Sequence, residues 1–353
     1  MNDALITSLY SQLFEEAVAN ACMTLCPGIQ GTFTKENRRN SFYWYWVGRD
    51  NNGKSRRVYI GPDNKDTENL VAKLQYRKDR ARQAIDSMKR TAAAYRGAGG
   101  QINEPSHFKT IALLAQQNLF RKKVYIIGSQ GFISICNALG ISADTAFLRA
   151  NEFVSQRLSI AIPDVRHPIP DIPAALKKFD DNFKMIPELD EKNRGANLST
   201  SLEIKKTKVD FLTADRETDK PVYFDDLGIA AQPMRFMDFL LGGEALKGLF
   251  IGRYAIPVTL PNPARFAIHK LIISQERPHH FKTRSQTDIA QAAILLEYLI
   301  DEDPGQVFDA LSCCLNIDGA INNIKKSLPE LGRTNILLLD FFNAHLGGNE
   351  DNQ

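Results

Sequence analysis

The chain has 353 residues, 43% of them hydrophobic, with 44 Lys and Arg against 41 Asp and Glu. That is enough apolar material for one large or two to three modest domains. No stretch approaches the ~18 apolar residues of a membrane span, and the opening "MNDALITSLYSQLFEE" lacks the charged and apolar regions of a signal peptide. The near balance of charge hides an asymmetry. Residues 1–100 carry 16 Lys and Arg against 10 Asp and Glu, while the remainder carries 28 against 31. An anionic partner is therefore expected for the first part. Five cysteines, odd in number and without metal-ligand spacing, read as free thiols in a reducing cytoplasm.

The first predicted element is a helix over about residues 4–21, with Leu5, Leu9, Leu13 and Val18 on its apolar positions. "SFYWYWVGRDNNGKSRRVYIGP" (41–62) then reads as a β-hairpin. Alternation sends Phe42, Trp44 and Trp46 to one face and Tyr43 and Tyr45 to the other. Aromatics beside Arg56 and Arg57 suit either cross-strand packing or the stacking of bases and holding of phosphates. A long helix comes next in "TENLVAKLQYRKDRARQAIDSMKR", whose outer faces are basic and include Arg77. "RGAGGQINEP" (96–105) reads as a flexible boundary. The chain thus divides into three regions: residues 1–100, basic and suited to nucleic-acid contact; a core over 101–225; and a mainly helical lobe over 226–353.

In the core, "FKTIALLAQQNLF" predicts a helix, "KVYIIGS" a buried strand ending at Gly128 and Ser129, and "GFISICNALG" a helix closed by Gly140. "LSIAIPD" predicts a strand, "DIPAALKKFDDNF" a helix, and residues 203–214 an alternating strand with Asp210 set between Val209 and Phe211. An acid in such a strand requires a cation or a partner. Short strands are expected in "VYFDDLGI" and "YAIPVTLP", and four helices after residue 260. Strands alternating with helices, then helices, make an α/β or α+β chain.

The strand–Gly-Ser–helix unit lets backbone N–H groups and a hydroxyl approach a triphosphate, although tight strand-to-helix turns use Gly-Ser widely. Taken over its full length, "IIGSQGFISICNALG" resembles the start of a nucleotidyltransferase fold of the DNA polymerase β superfamily. The chain is similar to a bacterial branch of that fold in "YIGP", "KVDFLT", "AQPMRFMDFLL" and "PNPARFAIHKLIISQ". The resemblance implies a mixed sheet with flanking helices, a C-terminal helical lobe and a small N-terminal hairpin and helix region. It also implies Mg²⁺ or Mn²⁺ on an Asp-x-Asp pair and a third acid, with ATP or another NTP as substrate. Here the pair reads Glu152 and Val154, and the third acid is Asp210. Glu152 retains a carboxylate; Val154 does not. Among the later cations, Lys270 and Lys282 are expected on the nucleotide phosphates, with Asp288 as a helix N-terminal charge or a clamp for Lys282. His279 and His280 read as a loop.

Two functions are consistent with these residues. One is transfer of a nucleotide to RNA or a protein side chain. The other is a catalytically degenerate member that binds nucleic acid (RNA or DNA) or a protein partner through Trp44, Trp46, Arg56, Arg57 and Arg77. Similar folds occur in toxin and phage-defence systems, for which this sequence holds no sign of its own.

Overall fold

A computed structural model describes residues 2–24, 31–49, 55–122, 124–142, 157–163, 184–187, 200–204, 207–214, 221–224, 227, 229–277 and 282–346. Among these residues the architecture is mixed α/β: a nine-stranded sheet with helices around it and a separate three-stranded sheet near the N-terminus.

The small sheet comprises β1 (Thr32–Arg38), β2 (Ser41–Arg49) and β3 (Ser55–Pro62), in that order and antiparallel. The sequence signalled β2 and β3; β1 went unread. It is a polar strand, and its two-residue turn to β2 uses Arg39 and Asn40, both at positive φ (51° and 62°). That is the backbone of a tight hairpin turn, for which Asn-Gly is the usual signature and Arg-Asn is not. Register places Phe33, Lys35, Trp44 and Trp46 on one face and Glu36, Tyr43, Tyr45 and Tyr59 on the other. The sheet meets helix α2 (Lys65–Gly97), where Lys78 is buried and its ammonium donates to the Gly31 carbonyl. Farther along, α2 packs with α1 (Asn2–Thr24): Leu13, Ala17, Met88, Ala92 and Tyr95 form a small core with Leu249, Ile251 and Ala255.

The connection after α2, expected to be flexible, is pinned. The buried Asn103 amide donates to the Gln130 carbonyl (3.1 Å) and the Ser134 hydroxyl (3.1 Å), and its oxygen accepts from the Ile251 N–H (2.8 Å). One side chain thereby ties the loop to a strand and a helix of the main body.

In the large sheet the strand order is β11-β12-β4-β5-β8-β10-β9, with β7 also paired to β8 and β6 to β7. These are β4 (Tyr125–Ile127), β5 (Arg157–Ala161), β6 (Lys184–Pro187), β7 (Thr200–Ile204), β8 (Thr207–Ala214), β9 (Val222–Phe224), β10 (Ile229–Met234), β11 (Leu246–Ile251) and β12 (Ala255–Leu260). The expected single strand over 203–214 is thus a hairpin of β7 and β8. Strands β10 to β12, from the region expected to be a mainly helical lobe (226–353), complete the sheet. The core joins Ile126, Leu158, Ile160, Val209 and Phe211 to helix faces such as Phe132 and Ile135 of α4 (Gly128–Leu139). Gly140 closes α4 in the left-handed conformation, as its sequence predicts.

Helix α3 (Phe108–Gln116) precedes β4, and the short α5 (Met237–Leu241) follows β10. The helical end comprises α6 (Pro263–Glu276), α7 (Lys282–Glu302), α8 (Pro304–Cys314), α9 (Ala320–Thr334) and α10 (Ile336–Leu346). Helix α9, unread in the sequence because it holds Pro329, is buried along Ile324, Leu328 and Leu331. The helix expected over 171–183 lies outside the described residues. Among the described residues no helix is long and apolar enough to cross a membrane.

Candidate nucleotide cleft

Strand register sets the floor of the site. Ile127 of β4 lies opposite Ser159 of β5, and Ser159 lies opposite Asp210 of β8, so three strands contribute one row. One residue past that row the chain turns into α4 at Gly128, whose φ is +66°. A side chain there would be strained, and a Cβ would also stand 3.5 Å from the Ser159 hydroxyl. Gly131, one turn on, has a different constraint. A Cβ on it would lie 2.7 Å from the Ile126 carbonyl oxygen, so its absence lets α4 sit against β4. Gly128 and Ser129 thus present a helix N-terminus, where backbone N–H groups and the helix dipole favour an anion.

Opposite this floor stands α6. Phe266, His269, Lys270 and Ile273 recur at helical spacing along one face, and Arg277 follows as the C-cap. With Arg284, Thr287 and Asp288 of α7 and the segment Pro233 to Met237, they enclose a cleft of about 540 Å³ that includes Gly128, Ser129, Ser159 and Asp210. A cleft of that size suits a nucleotide-scale ligand.

Charge in the cleft is organised by Asp288. Its carboxylate accepts from Lys270 (2.5 Å) and from Arg277 (3.0 Å). Burial alone would raise the Asp288 pKa; Lys270 and Arg277 together outweigh it and hold the carboxyl below its usual range. Neighbouring His269 is 6% exposed, and among the described residues its Nε2 has no hydrogen-bond partner. Burial, reinforced by Lys270, depresses its pKa to about 3, so it is neutral at pH 7. At the mouth, Arg235 approaches Glu276 (3.4 Å), which also accepts from Asn323 of α9 (2.6 Å).

Phe236 begins α5 in the left-handed region, with φ 64° and ψ 8°. For a bulky side chain such a conformation costs on the order of 1–3 kcal/mol. It turns the chain sharply enough that consecutive residues from Pro233 to Met237 all line the cleft.

The structure brings together Gly128, Ser129, Asp210 and Lys270, as the sequence reading grouped them. Lys282, the first residue of α7, is exposed and is not part of the lining; Arg284, two residues on, is. Asp288 clamps Lys270 and Arg277, not Lys282. Glu152 and Val154 lie outside the described residues, as do His279 and His280. Ser159, Arg235 and Glu276 went unread in the sequence. Each is an ordinary residue whose place depends on strand register, on a turn or on how the end of α6 packs.

Among the described residues, the donors on the strand row are the Asp210 carboxylate and the Ser159 hydroxyl, and no group of three or more His, Cys, Asp or Glu gathers. A seat for two divalent cations needs several carboxylates, and Glu152, the other one expected, lies outside the described residues.

In the small sheet, the Trp44 indole donates to Asp63 (3.2 Å), and Lys35 lies over the Phe42 and Trp44 rings at 5.5 and 5.8 Å. Arg57 is on the other face, 4.0 Å over the Tyr45 ring and paired with Glu36. The two tryptophans and Arg57 therefore do not share a surface. Arg56 and Arg77 are exposed.

The sequence matches the model of one protein family, described as nucleotidyltransferase, over residues 106–314, more than half of the chain. No curated protein and no solved structure matches.

Proposed function

The chain belongs to the nucleotidyltransferase family, and from that membership and the cleft we propose that it binds a nucleoside triphosphate there and transfers the nucleotidyl group to a hydroxyl of RNA or protein. Nucleotidyl transfer in general and an NTP substrate follow from the family. The assignment of residues and acceptor is our reading.

One observation carries it: the Gly128-Ser129 helix start, the Asp210 carboxylate and the cations Lys270, Arg277 and Arg284 all border a single cleft. In this reading the triphosphate lies on the α4 N-terminus and the cations neutralise its charge. The acceptor oxygen bonds to the α-phosphorus as the bond from that phosphorus to the bridging oxygen breaks. Pyrophosphate leaves, and the hydroxyl proton passes to a base, for which Asp210 is the anionic candidate. Positioning and charge neutralisation account for most catalysis of this kind. A requirement for Mg²⁺ or Mn²⁺, with Glu152 as a further ligand, belongs to the same reading.

A second reading rests on the presence of Ser159, an uncharged residue, beside Asp210 on the strand row. There the cleft binds nucleotide without transferring it, and the basic N-terminal third holds nucleic acid. Label transfer from each α-³²P-labelled NTP to total RNA and lysate protein separates the two, with Mg²⁺ or Mn²⁺ titrated. Label that appears with wild type and is lost in Asp210→Ala supports transfer. A nucleotide that binds and is never transferred supports the second reading.

A further inference from the structure

We propose that the Arg235 guanidinium, backed by the buried Phe236 ring, is the platform on which the nucleobase of the bound nucleotide lies, and that it makes the cleft prefer purines. This inference rests on the cleft being a nucleotide site.

Three observations lead to it. First, Phe236 is held at φ 64°, a conformation that glycine adopts freely and phenylalanine does not. The surrounding structure therefore sustains strain at a cleft-lining residue, and such strain clusters at ligand sites. Second, the Arg235 guanidinium lies 4.7 Å from the Phe236 ring centroid. A planar cation on an aromatic face is a stacking surface for any base, because every base has a π-face. Third, the segment Pro233 to Met237 brings apolar lining (Pro233, Met234, Phe236 and Met237) to a cleft whose floor, Gly128, Ser129, Ser159 and Asp210, is mostly polar. A nucleotide has the same division, with anionic phosphates at one end and a flat, weakly polar base at the other. Phosphates matched to the helix start and cations leave the apolar lining for the base. Purines offer the larger stacking area, hence the preference.

Competing roles are distinguishable. A Phe236 that only packs the turn would matter for stability and not for which ligand binds. The test is therefore calorimetric titration of the full chain with ATP, GTP, CTP, UTP and inorganic tripolyphosphate. Wild type, Phe236→Leu and Phe236→Tyr are compared, with folding checked by thermal melting. Leucine keeps apolar bulk without the ring, and tyrosine keeps the ring. The expected result is that Phe236→Leu weakens purine nucleotides about tenfold or more and leaves tripolyphosphate binding unchanged, while Phe236→Tyr retains the purine preference. Equal weakening of tripolyphosphate and nucleotides, or no change in either, would overturn the platform while leaving the cleft as a triphosphate site. Wild type that binds neither tripolyphosphate nor any nucleotide would overturn both this inference and the reading beneath it.

Discussion

The Lys270 ammonium lies 2.5 Å from the Asp288 carboxylate, with the two side chains only 7% and 6% exposed. Both are buried in the wall of the cleft, and Arg277 completes the carboxylate's partners at 3.0 Å. A buried pair of this kind adds little net stability over a well-packed apolar pair, but removing one member leaves the other charge stranded. Asp288→Ala should therefore cost about 3–5 kcal/mol, read as a fall in the urea midpoint. The double variant Lys270→Met with Asp288→Leu should recover most of that loss while still impairing triphosphate binding. If the double variant is as unstable as the single one, stranded charge is not the cause.

The same cluster makes the fold acid-labile in two steps. His269 has a pKa of about 3 in the folded chain against 6.5 in the unfolded one. Between those values the unfolded chain binds the extra proton, so stability falls as pH drops below about 6.5, by up to ~1.4 kcal/mol per pH unit. Asp288 adds to this lower down. Its folded pKa is depressed, so its contribution is present above the unfolded value near 3.8 and is lost as pH falls through the folded one. Urea titrations at pH 7, 6 and 5 should show His269→Gln flattening the upper part of that slope. An unchanged slope between pH 6 and 5 would mean that the histidine is not held neutral.

The glycine three residues beyond Gly128 is a sharper test of how the helix start is positioned. A Cβ on Gly131 would stand 2.7 Å from the Ile126 carbonyl oxygen and 3.7 Å from the Phe266 ring. Backbone cannot yield as a flexible side chain would, so Gly131→Ala should lift α4 from β4 and displace Gly128 and Ser129. The expected cost is about 1–3 kcal/mol, with triphosphate affinity falling more than stability alone explains. Retained affinity at a temperature where the variant is folded would show that the helix start tolerates the shift.

Local signals in the sequence reached the parts of this fold that are local. The apolar run into Gly128-Ser129, the Gly140 cap and the alternation around Asp210 each rest on a few neighbouring residues, and each is found. What was missed depends on distant partners. Ser159 meets Asp210 only because β5 and β8 pair in parallel with that register. The partner of Asp288 proved to be Lys270 and not Lys282, because α6 and α7 pack face to face and Lys282 starts its helix pointing into solvent. Asn103 looked like loop composition, yet its short amide fills a buried slot whose donors and acceptors come from residues 27 to 148 positions away. Phe236 gave no signal at all, since nothing in "QPMRFMDF" announces a left-handed phenylalanine.

The Asn103 clamp allows a prediction of its own. Removing the amide strands the Ile251 N–H and takes partners from the Gln130 carbonyl and the Ser134 hydroxyl. Each buried group left unmet costs about 1–3 kcal/mol, so Asn103→Ala should lose about 3 kcal/mol or more. Hydrogen exchange should quicken at Ile251 before it does in the strands around Asp210. Uniform quickening instead would mean that the loop opens only with the whole fold.

The small N-terminal sheet and α2 supply the last test, because their cations are not equivalent. Arg57 is paired with Glu36 and stacked on Tyr45. Lys78 is buried, which lowers its pKa. Arg56 and Arg77 are exposed. If this region holds nucleic acid, the exposed pair should account for most of its contact with phosphate. Each phosphate contact contributes about 0.7 to 0.9 to the slope of log affinity against log salt, depending on strandedness. Arg56→Ala and Arg77→Ala should each reduce the slope by about that much for single-stranded RNA, measured by fluorescence anisotropy, whereas Arg57→Ala should change it less. The loss should not depend on Asp210, which belongs to the cleft. Slopes that stay the same across all three variants would remove nucleic acid from this surface and leave its tyrosines and tryptophans to packing.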